Sequence, residues 1–566
     1  MKILGVNCTR QQDGRLTADG NVAVYVDGRI VFAVAEERVT RRKYDGGFVA
    51  GLRYALDRTG ISADELDAVA VVSFGQPIDQ AAEIGRRISD EIIGALGADV
   101  EVDYVASHHE AHAYSAAAQA GVDRGIVAVL DNTGSMLGSR SSGVFWENRF
   151  EMTSYYLLAD GRLSLIARDH DGPGAVGYGR AYSKVTRYIG FQSYQESGKT
   201  MGLAALGTGS RFGDLRLFDG GAGPMSTTMR TSENGLADLE EWFAAQGRPL
   251  PGARSPGTPI RPVDVELASW IQRELEDSVI ERLADLVIRH GVEHVCVAGG
   301  VALNSVMNRR IADELKLKSV FVPPSPSDTG LALGAVAAHV ACRTGFLPRW
   351  EATPFLGGSF AEDEIGGAVK AFGDDLVARR CDDVARAAAE ALVRGEIVGW
   401  FQGASEYGPR ALGHRSILAD PRNHWQKDVL NHQVKMREWF RPYAPAVLAT
   451  HADRYFDLGD KGAEVPFMMQ VAPAREAAQL DIPACVHADG TSRLQTVSPE
   501  DAPLFARLIE EFGEISGVPV VLNTSFNLAG MPIVETPTDA LRCLIEANRL
   551  DRVFIGGFDV RRRGAR

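Results

Sequence analysis

The sequence predicts an α/β protein of more than one domain, and three features carry that reading. Its 566 residues exceed what a single hydrophobic core supports. Short β-branched runs alternate with helix-period segments along much of the chain. A glycine pair, Gly299-Gly300, stands where a strand passes into a helix, the kind of junction at which α/β folds place ligands. The composition, 45% hydrophobic and 24% charged, is ordinary for a globular protein.

The elements follow in order. Residues 2–7 (KILGVN) read as a short buried strand, and 21–26 and 29–35 flank Asp27-Gly28, a two-residue hairpin signal. The charged stretch AEERVTRRKY leads into a helix over 49–60 closed by Gly60, and 68–74 give another buried strand. Further on come a long amphipathic helix (265–291), a strand (295–299), a helix (301–315), a strand (319–324) and a helix (328–345). These read as two related halves facing across a cleft, with strand ends and helix N-termini at a shared ligand site. Residues 346–363 carry prolines and glycine pairs without a period and read as a linker. Beyond them an alanine-rich helix (382–395) and a strand (396–403) open a separate α/β domain. The expected division is a first domain at 1–345, a linker at 346–364 and a second domain at 365–566. No internal repeat or low-complexity tract is evident.

Bulk charge narrows the function classes. The net charge of −14, from 74 acidic and 60 basic residues, argues against a general nucleic-acid binder but leaves room for a local phosphate pocket. Six scattered cysteines without a C-x-x-C pair support neither a zinc ribbon nor a disulfide framework. No apolar run reaches the length of a membrane span, and the N-terminal run reads as a strand rather than a signal peptide, so the cytoplasm is the expected location.

His108 and His112, in SHHEAHAYSAA, are the residues most suggestive of chemistry. Four apart on a helix, they share one face and can grip one metal ion. The metalloprotease motif needs an acid directly after the first histidine, where His109 stands, so the pair points to a metal without peptidase chemistry. A surface helix that carries three histidines is the plainer alternative. Asp131 follows the buried run GIVAVL and Asp328 follows SVFVPPSPS. Two imidazoles and two carboxylates suit iron, manganese or zinc. Read singly, Asp131 serves equally as a turn residue and Asp328 as a helix N-cap.

Anion-binding groups form a second set. Gly299, Gly300 and Asn304 stand where a backbone could approach a phosphate or ribose. The run ESGKTMG lacks the first glycine of a P-loop, so Lys199 is either a phosphate contact or a solvated loop lysine. Arg410, His414, Arg415 and Arg422 lie in SEYGPRALGHRSILADPRN, and VKMREWFRPYAP adds Lys435, Arg437 and Arg441. Arg493, Ser525 and Asn527 complete the set. Arginines in Gly/Pro-rich loops suggest bidentate contacts to phosphate or carboxylate; for any one alone, a structural or solvated role competes.

Together these motifs resemble the O-carbamoyltransferase family of antibiotic and nodulation-factor biosynthesis. The shared elements appear in order: AEERVTRRK, HHEAHA, LDNTGS, GKTMGLA, GGVALN, PSPSDTGLALGA, EYGPRALGHRSI, KMREWFRPYAP and LNTSFN. The resemblance implies a Kae1-like domain of the actin/hexokinase-type ATPase fold followed by a YrdC-like α/β domain. It implies that the second domain condenses carbamoyl phosphate with ATP, supplied with Mg2+, into carbamoyl-adenylate. The first domain, with a bound metal (Fe2+ by resemblance, Mn2+ or Zn2+ as alternatives), would pass the carbamoyl group to a hydroxyl of a small-molecule natural product. His108, His112, Asp131 and Asp328 match the metal ligands by motif. Arg410, Lys435 and Arg441 match catalytic residues, and with Arg493, Ser525 and Asn527 the carbamoyl-phosphate and nucleotide contacts. Lys199, Gly299, Gly300 and Asn304 fall where the first domain would hold a nucleotide. A homodimer is implied by the resemblance alone.

One departure stands out. Where the family carries His-Asp-x-Ser-Ala, this chain has Ala18, Asp19, Gly20, Asn21 and Val22. The competing reading is a kinase or nucleotide-sensing protein of the actin/hexokinase class without carbamoyl chemistry, against which the second domain's arginine cluster speaks. A hydrogenase-maturation carbamoyltransferase would have the opposite domain order and C-x-x-C motifs. A tRNA-modifying enzyme fits the acidic charge less well.

Overall fold

The computed structural model describes residues 1–8, 19–138, 149–170, 176–219, 226, 227, 229, 235–459 and 464–564. Ala18 and most of the loop 220–235 lie outside them. The chain is mixed α/β and divides into two compact units, one of Met1–Val31 and Gly46–Ala352, the other of Phe32–Asp45 and Thr353–Arg566. The change of unit thus falls inside the stretch expected as a linker. Residues 32–45, expected in the first domain, belong to the second unit because their polar groups find partners there. Ala33 N donates to Leu356 O (2.8 Å), Arg38 to Gly408 O (2.9 Å), and Arg41 to Pro532 O and Ile533 O (2.9 and 2.7 Å). The helix Glu362–Ala371 begins before the expected end of the linker.

The first sheet takes β1 (Lys2–Asn7), β2 (Asn21–Val26), β3 (Arg29–Ala35, counted with the second unit from Phe32 on), β4 (Ala68–Val72) and β5 (Val102–Val105) in the order β3-β2-β1-β4-β5. β1 is antiparallel to β2 and parallel to β4, which is parallel to β5. A second sheet takes β6 (Gly125–Leu130), β7 (Glu151–Ala159), β8 (Arg162–His170), β11 (His294–Ala298) and β12 (Ser319–Phe321) in the order β12-β11-β6-β7-β8. Here β6 is antiparallel to β7 and parallel to β11, which is parallel to β12. Both sheets therefore place three sequential strands side by side and add two parallel strands beyond the first. The repeat lies in topology, not in residues. β9 (Phe218–Asp219) and β10 (Ser226–Thr227) make a small separate pair.

Two helices lie between these sheets. Leu331, Ala335 and Val336 of helix Leu331–Thr344 pack with Ile3, Ala70 and Val72 of the first sheet. Ala113, Ala116 and Ala117 of helix His108–Gln119 pack with Val127, Val129 and Cys296 of the second. Small residues let the two helices meet backbone to backbone. A Cβ at Gly334 would sit 1.9 Å from Ala111 O, and one at Gly5 2.2 Å from Ala332 O.

The second unit is built on an eight-stranded mixed sheet. Its strands are β13 (Leu376–Arg380), β14 (Val398–Phe401), β15 (Arg415–Ala419), β16 (Ala444–Leu448), β19 (Gln495–Val497), β20 (Val520–Ser525), β21 (Arg552–Ile555) and β22 (Phe558–Arg562). Their order is β13-β22-β21-β14-β15-β20-β16-β19. β17 (Ala472–Pro473) and β18 (Thr491–Ser492) pair separately. Helices Glu362–Ala371 and Pro537–Glu546 contribute to one hydrophobic cluster on the sheet, and Val384–Val393 and Pro503–Ser516 to another.

Two local outcomes differ from expectation. Residues 301–315 are not one helix: a 3-10 turn at Gly300–Leu303 precedes Asn304, which caps Ser305–Glu314 by accepting a bond from Met307 N (3.1 Å). The β7–β8 hairpin and the helices Ala81–Leu96 and Tyr178–Tyr188 were not marked by the sequence reading. Among the described residues no helix is long and apolar enough to cross a membrane.

Candidate metal centre and cationic cluster

β6, β11 and β12 run parallel, so their carboxyl ends share one edge of the second sheet. Asp131 directly follows β6, Gly299-Gly300 directly follow β11, and Asp328 lies beyond β12. Helix His108–Gln119 leads back into β6 and presents its first turn at the same edge. Ser107 caps that turn by accepting from Glu110 N (3.0 Å). The fully buried Glu151 accepts from Ser107 Oγ (2.6 Å), His109 N (3.2 Å) and Ser135 N (3.0 Å), and pairs with Arg168 (3.0 Å). Burial opposes its charge, but His109, Arg168 and these donors hold its carboxyl below the usual range. A carboxylate at a helix N-terminus also meets the positive end of the dipole.

The four candidate ligands converge there. His108 Nε2 lies 3.2 Å from His112 Nε2, 3.4 Å from Asp131 Oδ2 and 3.2 Å from Asp328 Oδ1. His112 Nε2 is 3.3 Å from each of the same carboxylate oxygens. Ligand atoms about 2.1 Å from a shared tetrahedral ion would be about 3.4 Å apart, so the donor set fits a divalent transition metal in both spacing and chemistry. Asp131 Oδ1 accepts from Asn132 N (2.7 Å) and Gly300 N (3.3 Å), leaving Oδ2 turned toward the histidines. Burial disfavours charge on His108, yet Asp328 and Asp131 push its pKa up to about 10. His112 is likewise raised against burial by the two carboxylates, and both aspartates are held below their ordinary range by the histidines. His109 faces away, with Nδ1 2.8 Å from Ser154 Oγ, and burial pushes it down to about 4.

The glycine pair supports this site directly. Gly299 has φ +87°, and a Cβ there would lie 2.3 Å from Leu130 O, so only glycine fits. Asn304, expected to face a nucleotide, spends its side chain on Met307 N and on a reciprocal pair with Gln272 (3.0 and 2.9 Å). Lys199 pairs with Glu196 in its own turn (2.5 Å) and lies over the Phe191 ring.

In the second unit the expected cations sort into two kinds. Arg415 is fully buried, donates to Gln402 O (2.7 Å) and Gly358 O (2.8 Å), and stacks on Phe401. Arg422 is paired with Asp420 (2.6 Å), Arg437 donates to Asn431 Oδ1 (2.8 Å), and His414 stacks on Phe355. Their bonds belong to the fold. Arg410 and Arg493 are part-buried, and the charges set closest against them are those of other arginines. Burial and then Arg441 push Arg410 down to about 10; burial, then Arg410, Arg441 and Arg437, hold Arg493 well below its ordinary value. Cations grouped in this way repel one another, a repulsion that a bound anion would relieve. Lys435 donates to Ser525 O, Ser525 Oγ (3.2 Å), Asn527 O (3.0 Å) and Asn527 Oδ1 (2.8 Å), tying the LNTSFN loop to the KMREWFRPYAP loop. Burial and then Arg437 hold it well below the usual lysine value.

Residues 2–120 and 99–337 match the family described as carbamoyltransferase N-terminus, and residues 389–562 that described as carbamoyltransferase C-terminus. The chain belongs to the carbamoyltransferase family. It is a carbamoyl-transferring enzyme, as the motif resemblance implied. This carbamoyltransferase is 31% identical over 585 residues to nodulation protein NolNO of Sinorhizobium fredii, covering 97% of this chain and 79% of that protein. It is 34% identical to nodulation protein NolO of Bradyrhizobium diazoefficiens over 81% of this chain and 79% of that one. The crystal structure of T. kodakarensis HypF aligns with a TM-score of 0.32 and 16% identity, over 62% of this chain and 48% of that one, a likeness from which nothing is inferred.

Sequence reasoning about this carbamoyltransferase passed over Ser107, Ser135 and Glu151, which set the helix that carries both histidines. Ser107 was legible as an N-cap before HHEAHA. Glu151 was not, because it sits forty-four positions from Ser107 on a strand.

Proposed function

We propose that this carbamoyltransferase activates carbamoyl phosphate with ATP in its second unit and transfers the carbamoyl group to a hydroxyl of a small-molecule natural product at the His/Asp centre. The observation that carries the proposal is the cluster of part-buried guanidinium groups, Arg410 and Arg493, whose charges are set against those of their neighbours Arg441 and Arg437. Cations in that state bind anions strongly, since the ligand relieves both desolvation and repulsion.

The chemistry balances as follows. Water cleaves carbamoyl phosphate to carbamate and inorganic phosphate. A carbamate oxygen then attacks the α-phosphorus of ATP, forming one P–O bond as the bond to pyrophosphate breaks. Arg410, Arg493 and Arg441 offset the repulsion between the two anions, and Lys435 holds the Ser525-to-Asn527 loop against them. In the second reaction the acceptor oxygen bonds to the carbamoyl carbon, AMP departs, and the acceptor's proton is released. His108, His112, Asp131 and Asp328 would hold the divalent metal, which when bound supplies a Lewis acid to polarise a carbonyl or an alcohol. In this reading the first unit is the Kae1-like actin/hexokinase-type part and the second the YrdC-like part.

The deciding assay is pyrophosphate release from ATP by purified protein. Release should require carbamoyl phosphate. Formation of ADP and phosphate alone, or turnover only with another acyl donor, would refute the proposal.

A further inference from the structure

β1 and β2 carry a pair of buried asparagines at the end beside the candidate metal centre. Asn7 and Asn21 are register partners on the two strands, and both are fully buried. Asn21 Nδ2 donates to Asp328 O (2.8 Å) and Asp19 O (2.6 Å). Asn7 Nδ2 donates to the same two carbonyls (3.3 and 2.9 Å). Asn21 Oδ1 accepts from Ala332 N (3.0 Å), at the start of the helix that meets His108–Gln119. Each carboxamide offers two N–H donors and each carbonyl two lone pairs, so the four bonds use the capacity of both sides. Asp19 is held meanwhile in the left-handed region, at φ +68°.

We propose that Asn21, assisted by Asn7, is a positioning residue for the metal centre. By fixing the Asp328 carbonyl and the first turn of helix Leu331–Thr344 together, it fixes the reach of Asp328 Oδ1 toward the two imidazoles. Asn21 stands where the family pattern carries serine. One hydroxyl has a single donor and a shorter reach, and cannot serve Ala332 N and both carbonyls together. The inference rests on the metal reading of the His/Asp quartet.

The test uses full-length protein stripped of metal and titrated with Co2+, whose visible absorption reports ligand number and symmetry. Wild type should bind saturably with a defined spectrum. Asn21→Ala should bind about 10- to 100-fold more weakly with an altered spectrum, the range typical for loss of a ligand's outer hydrogen-bond support. Asn21→Asp, equal in shape but opposing an oxygen to two carbonyls, should fall below Asn21→Ala. Asn21→Ser should recover part of the loss, and Asn7→Ala should lose less than Asn21→Ala. Wild-type affinity and spectrum in a folded Asn21→Ala protein would overturn the inference. If that variant does not fold, wild-type values in both Asn21→Ser and Asn7→Ala overturn it equally. A wild-type protein that gives no Co2+ spectrum removes the metal reading and this inference with it, an outcome read on wild type alone.

Discussion

Gly334→Ala is the perturbation that most directly tests how this fold builds its metal centre. An added Cβ would stand 1.9 Å from Ala111 O, a backbone atom with no rotamer to yield. Relief to an ordinary contact of about 3.5 Å requires the two helices to part by about 1.6 Å. Ala111 lies between His108 and His112, and Gly334 follows Asp328 on the facing element, so the separation falls across the His–Asp distances, now 3.2–3.4 Å. Metal sites tolerate errors of about 0.2 Å. The expected outcome is therefore a loss of at least about tenfold in Co2+ affinity, together with an overpacking cost of about 1–3 kcal/mol in urea unfolding. Gly94→Ala is the control, because a Cβ in that helix meets nothing within 4 Å and should stabilise by up to about 1 kcal/mol. Wild-type stability and wild-type metal affinity in Gly334→Ala would refute the reasoning.

Three other outcomes follow from the geometry. His108→Ala or Asp328→Ala should abolish carbamoyl transfer while sparing pyrophosphate release; equal loss of both in folded protein would count against separate sites. Arg493→Met should lower carbamoyl-phosphate-dependent pyrophosphate release about 10²- to 10³-fold, while leaving the melting temperature of ligand-free protein unchanged or higher, because it removes a buried like-charge neighbour of Arg410; a lower melting temperature would make Arg493 structural. Burial pushes His487 down to about 4, so the unfolded chain binds its proton first. Stability should therefore be intact above pH 6.5 and fall between there and about pH 4, by about 1.4 kcal/mol per pH unit from this group, and His487→Gln should flatten that decline in urea midpoints.

The sequence carried the elements whose signals are local. The Asp27-Gly28 hairpin, the long helix now bounded at Pro262–His290 and the strand-to-helix junction at Gly299 follow from turn chemistry and periodicity alone. The convergence of His108, His112, Asp131 and Asp328 did not, since it depends on three parallel strands ending at one edge and on two helices touching at Ala111 and Gly334. The placement of residues 32–45 was hidden for the same reason: their partners, such as Gly408 and Ile533, lie hundreds of residues away. Arg415 and Arg422 looked the same as Arg410 in sequence, because residue type and loop context do not reveal which guanidinium groups the fold itself pairs.

What separates them is charge left uncompensated by the protein. Arg415 donates its two terminal nitrogens to carbonyls and Arg422 pairs with Asp420, contacts that the fold supplies without a ligand. Arg410 and Arg493 stand part-buried among cations, a repulsion that an anion would relieve. The His/Asp quartet has the opposite sign: two carboxylates, Asp131 buried and Asp328 part-buried, raise the pKa of their histidines, and a divalent cation would satisfy all four groups at once. The like-charged arginines do not stabilise the ligand-free fold, so packing must hold them in place, whereas the carboxylate–imidazole pairs of the quartet favour that fold. Around the quartet, backbone contacts at Gly5, Gly299, Gly330 and Gly334 fix the elements that carry it, each admitting no side chain.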